Sequence, residues 1–346
     1  MTPKVLLIAP HFGKFPPWIG LTFATFARNR DFQLLVVTDQ RGDRFPPYPN
    51  IRFHHQSLAD LSALATERTG TRVVLTRGYK VCDLRPAFGV IFAAHLAGYD
   101  YWGHLDLDTF WGDMAAALHP ALAQGYEIIC GDPYHVGGPF CLYKNVERVN
   151  TLFRKNPFHI SAFQAKENVD FDEIGVHIDY QGFERTVRRS EASKEIRVYR
   201  DRQHYLQDFD ASWWVNQVKT AFPEDTREYP PFEFGTGIWQ DGKIYAASDP
   251  SGASNSNELQ PKEYLFYHFL DGKRRLFRPF DIKWCQHLQS FSIGLDGLTL
   301  HYQPGVYWLA HRLESFSIHA LKFAVYDLGP WRHRLGLRGK KSQRSA

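Results

Sequence analysis

The chain has 346 residues, a length that suits one large α/β domain with appendages or two domains. Hydrophobic residues make up 44% and charged residues 23%, with 26 glycines and 20 prolines, which excludes disordered, collagen-like and coiled-coil classes. The formal charge of +4 sits at the C-terminus, where Arg332, Arg334, Arg338, Lys340, Lys341 and Arg344 come with no acid, so the body before them is mildly acidic. No broad basic face for nucleic acid is therefore expected. The tail over 331–346 has two readings, a solvated terminus or a peripheral contact with an anionic membrane surface. Aromatic residues reach 15%, enough to suggest flat surfaces that stack on the rings of a ligand.

Residues 4–10 (KVLLIAP) form a continuous apolar run that ends in a Gly/Pro-rich loop, the pattern of a strand buried on both faces of a sheet. A helix over 18–29 follows Pro16 and Pro17, and FQLLVVT over 32–38 is a second buried strand that stops at Asp39. A further strand is expected over 51–55, and Ser57 with Asp60 forms a capping box that opens a helix to about Arg68. From Leu84 a helix carries Phe88, Ile91, Phe92 and Leu96 at three-to-four spacing as far as Gly98. Strands over 101–105, 126–130 and 140–143 and a helix over 146–155 complete an α/β half that ends near residue 156. A mixed half over 157–330 carries two hairpin-turn signals, Asp241-Gly242 and Asp296-Gly297.

Cys82, Cys130, Cys141 and Cys285 show no zinc-finger spacing and fit a reducing, cytoplasmic setting. The apolar run at the N-terminus is too short for a signal peptide, and the most apolar longer stretch, over 86–99, is too short to cross a bilayer.

The stretch DYWGHLDLDTFWGD, residues 100–113, carries the chemistry. Its strand delivers Asp106 and Asp108 one residue apart, framed by Trp102 and Trp111. Ligands gather at the carboxyl ends of strands in open α/β sheets, and two neighbouring acids repel unless a cation or a shared proton relieves them. Oxygen ligands select Mg²⁺ or Mn²⁺, ions that commonly bridge one or two carboxylates to substrate phosphates. A phosphorylated donor is the expected partner. Asp113 caps the next helix in this reading.

Tyr79 to Pro86 (YKVCDLRP) and Trp102 to Asp113 together resemble a bacterial domain-of-unknown-function family of glycosyltransferase-like proteins found with polysaccharide assembly enzymes. The N-terminal His11-Phe12-Gly13 departs from that family's tyrosine-first loop. The resemblance implies a GT-A-like, Rossmann-type mixed sheet flanked by helices, a nucleotide-sugar donor, and a glycan or lipid-linked glycan acceptor at the cytoplasmic face of the plasma membrane. It is distantly similar to glycogenin-like and mannosyltransferase-like enzymes, and that similarity implies donor-binding roles for Asp39, Lys80, Asp83 and Arg85. EYLFYHFLDGKRRLF resembles their His-x-x-Gly-x-x-Lys element, which implies His268 as a third metal ligand and Lys273 on the diphosphate, although the spacing from Gly272 to Lys273 is shorter.

Each assignment has a structural counterpart: Asp83 as a cap or ion-pair partner, His268 as a core histidine, Asp39 as a turn residue. Tyr134, His135, Gly137 and Gly138 fit a sugar-binding loop or a plain one. Among the acids at Asp170, Asp172, Glu173 and Asp179, Glu173, then Asp172, are the candidates for a base that activates the acceptor. A haloacid-dehalogenase-like phosphatase with Asp106 as nucleophile and a non-catalytic glycan-binding protein are the alternative readings.

Overall fold

The computed structural model describes residues 2–201, 204–227, 233–247, 262–275, 288–295 and 297–302. The basic tail, Cys285 and Asp296 lie outside the described residues. In chain order, β1 (Val5–His11), α1 (Ile19–Phe26), β2 (Phe32–Thr38), β3 (Ile51–His55) and α2 (Leu58–Thr69) open the fold. Next come α3 (Phe88–Ile91), β4 (Tyr101–Leu105), β5 (Thr109–Trp111), α4 (Met114–Ala123), β6 (Ile128–Cys130), β7 (Phe140–Lys144), α5 (Glu147–Asn150) and α6 (Phe158–Gln164). They are followed by α7 (Phe183–Ala192), β8 (Val198–Arg200), β9 (Tyr205–Gln207) and α8 (Ser212–Ala221). The chain then adds β10 (Gly237–Gln240), β11 (Lys243–Ala246), β12 (Glu263–Tyr264), β13 (Phe266–His268), β14 (Leu288–Gly294) and β15 (Gly297–Tyr302).

The protein is a mixed α/β fold built on a seven-stranded sheet of order β3-β2-β1-β4-β7-β6-β8. The strands β3, β2, β1 and β4 run parallel, and β7 is antiparallel to both its neighbours. The central strand explains its own sequence: Leu6 and Ile8 enter one core, and Val5, Leu7 and Ala9 enter the core on the opposite face. A strand covered on both sides has no wet face, so it alternates between two cores rather than between core and water.

A smaller three-stranded sheet, β5-β13-β9, and a five-stranded antiparallel sheet, β12-β11-β10-β14-β15, complete the described architecture. Trp239, Ile244, Phe291 and Ile293 of the five-stranded sheet pack on Phe110, Tyr267 and Phe269. Asp241 (φ 52°) and Gly242 (φ 86°) turn β10 into β11, and two positive φ angles in a two-residue loop match the right-handed twist of the strands. β14 and β15 close around Gly294 and Gly297.

The capping box at Ser57 and Asp60 is present at the start of α2. The helix expected over 84–98 is instead broken into a 3-10 helix over Gly78–Ala87, the single turn α3 and a 3-10 turn over Ala93–His95. Pro86 supplies no amide for a regular helix. At Gly89, inside α3, a Cβ would come within 2.6 Å of Asn150 Oδ1 and 2.7 Å of Trp102 Nε1, so only glycine fits where this turn packs against them. The helix expected over 146–155 likewise divides into α5 and a 3-10 turn, where Thr151 Oγ1 donates to Glu147 O at 2.7 Å. No helix among the described residues is long and apolar enough to cross a membrane.

The 3-10 helix is anchored by a buried ion pair. Lys80 Nζ lies 2.5 Å from Asp83 Oδ2 and 2.6 Å from Ala162 O, and both side chains are fully buried. Asp83 also accepts from the amides of Val169 (3.1 Å) and Phe171 (2.8 Å), so one carboxylate ties this helix to the 169–171 loop. Removing one partner of such a pair strands a charge in the interior. Asp83→Ala is expected to lower stability by about 3–5 kcal/mol, measured as a shift of the urea denaturation midpoint.

Candidate metal centre

Strand β1 lies between β2 and β4: the chain leaves β1 for β2 and β3 on one side and crosses from β3 to β4 on the other, so the strand order reverses at β1 and a crevice opens beyond the carboxyl ends of β1 and β4. A cleft of about 500 Å³ occupies this position, lined by Pro10, His11, Asp106, Asp108, Asp172 and Glu173 among others. That is the size of a small-molecule site.

Backbone bonds fix the Asp106-Leu107-Asp108 turn at three successive carbonyls. Asp106 O accepts from Thr109 Oγ1 (2.5 Å), Leu107 O from Trp18 Nε1 and Thr22 Oγ1 (both 2.9 Å), and Asp108 O from Phe269 N (2.8 Å). The amide of Asp106 donates to Pro139 O at 2.8 Å. The turn is thus clamped between the loop before β7, the N-terminal turn of α1 and the chain just after β13.

The third member arrives by strand register. His268 in β13 stands opposite Thr109 in the antiparallel pairing with β5 and beside Gln207 in the parallel pairing with β9. The Tyr205 hydroxyl and His268 Nδ1 are 3.1 Å apart, which turns Nε2 toward Asp108 Oδ1 at 3.5 Å. One ligand atom from each of Asp106, Asp108 and His268 lies within 4.8 Å of the others, with His268 buried and the aspartates half-buried. This group could hold a metal ion. Two carboxylate oxygens and one imidazole oriented by a neighbouring hydroxyl form a suitable donor set.

Two cations already balance the carboxylates. Arg85 pairs with Asp106 through Nη2, while its Nη1 reaches Asp172 Oδ2 and Gly138 O, both at 3.0 Å. Lys273 pairs with Asp108. Burial raises the Asp106 carboxyl and Arg85 offsets only part of that effect. Burial acts on Asp108 too, but there the hydrogen bond and charge of His268 and the charge of Lys273 prevail and hold it well below the usual carboxylate range. Burial pushes Asp172 well up against the pull of Arg85, and raises Glu173 as well.

The structure thus brings Asp106, Asp108, His268, Lys273, Arg85, Asp172 and Glu173 to one cleft. It places others elsewhere. Lys80 and Asp83, expected at the donor, face each other in the interior because each neutralises the other there. Asp39 does not line the cleft; its Oδ1 accepts from Gly13 N at 2.9 Å and fixes the loop after β1. Tyr134 and His135, considered for a sugar-binding loop, are buried, and His135 Nδ1 faces Val136 O at 2.8 Å. Trp102 and Trp111 are core residues, and Asp113 caps α4 by accepting from Ala116 N at 3.0 Å.

Sequence reasoning missed two residues that position the site, Tyr205 and Asp208. The Asp208 carboxylate accepts from the amides of Leu270 (2.7 Å), Asp271 (3.1 Å) and Gly272 (2.7 Å), and so fixes the loop that presents Lys273. Its one mark in the sequence is an acid directly after Tyr205-Leu206-Gln207, a stretch too short to read as a strand.

Fold and site together define a mixed α/β protein with an Asp-Asp-His cluster at its topological switch point. The chain belongs to a family of unknown function, DUF6625, whose model matches residues 7–295. No curated protein matches it.

The double variant Asp106→Ala/Asp108→Ala should weaken Mn²⁺ binding by more than about ten-fold, a loss that even outer partners of a metal site produce; paramagnetic titration measures it. Because Asp106 is raised and Asp108 depressed, acidification protonates Asp106 first. Mn²⁺ affinity is expected to decline as pH falls, because a proton on any of the three ligands competes with the ion, and of the two carboxylates Asp106 takes its proton at higher pH than Asp108.

Proposed function

We propose that this protein is a metal-dependent glycosyltransferase, in which Asp106, Asp108 and His268 hold Mn²⁺ or Mg²⁺ against the diphosphate of a nucleotide-sugar donor. The observation that carries this reading is the Asp-Asp-His cluster at the switch-point cleft with Lys273 beside it. The resemblance of the Tyr79–Pro86 and Trp102–Asp113 stretches to glycosyltransferase-like proteins supports the same reading. The ion would supply positive charge where the departing diphosphate accumulates negative charge. Lys273 would share that role.

Glu173, with Asp172 behind it, is the proposed base toward an acceptor hydroxyl, since burial raises both carboxyls toward the range in which a base operates near neutral pH. A surface glycan or a lipid-linked glycan is the proposed acceptor. The phosphatase reading draws less support: that fold carries its nucleophile on its first strand, whereas Asp106 follows β4.

Calorimetric titration with nucleoside diphosphates and nucleotide sugars, with and without Mn²⁺, tests the proposal. Binding is expected only with the metal and is expected to be lost in Asp106→Ala/Asp108→Ala. A folded wild-type protein that binds no nucleotide under any metal condition would sink this reading, and sugar binding without metal would favour a glycan-binding protein instead.

A further inference from the structure

The cleft is lined by five carboxylates, Asp106, Asp108, Asp170, Asp172 and Glu173, against three permanent cations, Lys14, Arg85 and Lys273. Carboxyl groups thus outnumber permanent cations along the walls that an anionic ligand would meet. Two of the cations are engaged already, Arg85 by Asp106 and Asp172, and Lys273 by Asp108. Among the described residues lining the cleft, Lys14 is the one permanent cation that makes no ion pair with a carboxylate. Lys80, the sequence candidate for offsetting phosphate charge, is buried away from the cleft.

We infer that Lys14 is a phosphate-binding residue of this site, and that it and Lys273 together hold the diphosphate of the donor. The inference rests on the reading of the cleft as a nucleotide-sugar site. Lys14 follows the end of β1, at the switch point itself, whereas Lys273 comes from the loop after β13. The segment that carries it is fixed rather than free to drift: Gly13 takes φ 90° and donates its amide to Asp39, and His11 Nε2 lies 3.2 Å from Lys14 O. A lysine on a preset backbone loses less freedom when it closes on a phosphate. This also assigns a role to Asp39, which acts on the ligand through the loop it holds. An exposed ammonium in a cleft of acids, with no carboxylate of its own, is matched to a ligand that brings its own negative charge.

The test uses the full chain and inorganic pyrophosphate with Mn²⁺ as the probe, titrated calorimetrically. Lys14→Met is expected to weaken pyrophosphate binding by about ten-fold or more, the range for a charge-assisted hydrogen bond. It should leave the affinity for Mn²⁺ alone and the unfolding midpoint unchanged, and Lys14→Arg should retain most of the affinity. If wild type binds pyrophosphate and Lys14→Met binds it equally well, the role of Lys14 is overturned while the nucleotide-sugar reading stands. If wild type binds neither pyrophosphate nor any nucleoside diphosphate with Mn²⁺, that reading fails and the role of Lys14 fails with it.

Discussion

Negative charge gathered at one end of a sheet is the constraint on which the rest of this structure depends. Asp106, Asp108 and Asp172 line one cleft, Asp172 buried and the other two half-buried, and carboxylates in that setting repel and lose hydration. The protein answers with two internal counter-ions. Arg85 spans Asp106 and Asp172, and Lys273 meets Asp108. The aspartates consequently diverge, Asp106 holding its proton more tightly and Asp108 less. The arrangement is preorganised, because the charges are held by backbone bonds at the Asp106-Leu107-Asp108 turn and not by the cations alone.

The same logic of neutralisation explains where the sequence misleads. Lys80 and Asp83 stand in the motif that precedes the Asp-x-Asp turn, and their chemistry suits a phosphate and a sugar hydroxyl as well as it suits each other. Motif position cannot distinguish the two. Burial can: inside the protein each is the other's partner, and Asp83 gains two backbone amides besides. Lys14 is the reverse case, an ordinary lysine in a Gly/Pro-rich loop that only the three-dimensional arrangement brings to the cleft.

What was legible follows from periodicity and from strong local chemistry. The apolar runs of β1 and β2, the capping box of α2 and the turn at Asp241-Gly242 each declare themselves within a few residues. The acids after β4, and His268 after an aromatic run, were legible as candidates for the same reason. The sheet β5-β13-β9 was not, since its strands have three residues each, too few to show a period, and they pair across long stretches of chain. The breaks on either side of α3 were hidden because the apolar spacing of this stretch is helical throughout, and only Pro86 marks a place where a regular helix lacks an amide.

The pairing of β13 with β5 also bears on how the molecule comes into being. All seven strands of the large sheet are encoded before residue 201, and so are both aspartates, but His268 and Lys273 are not. During synthesis the aspartates therefore emerge from the ribosome well before the histidine that joins them and the lysine that balances Asp108. A chain interrupted between residues 201 and 268 would carry the acids without the completed ligand set. The site is in this sense a record of translation past residue 273, assembled only in molecules whose β13 has found its register.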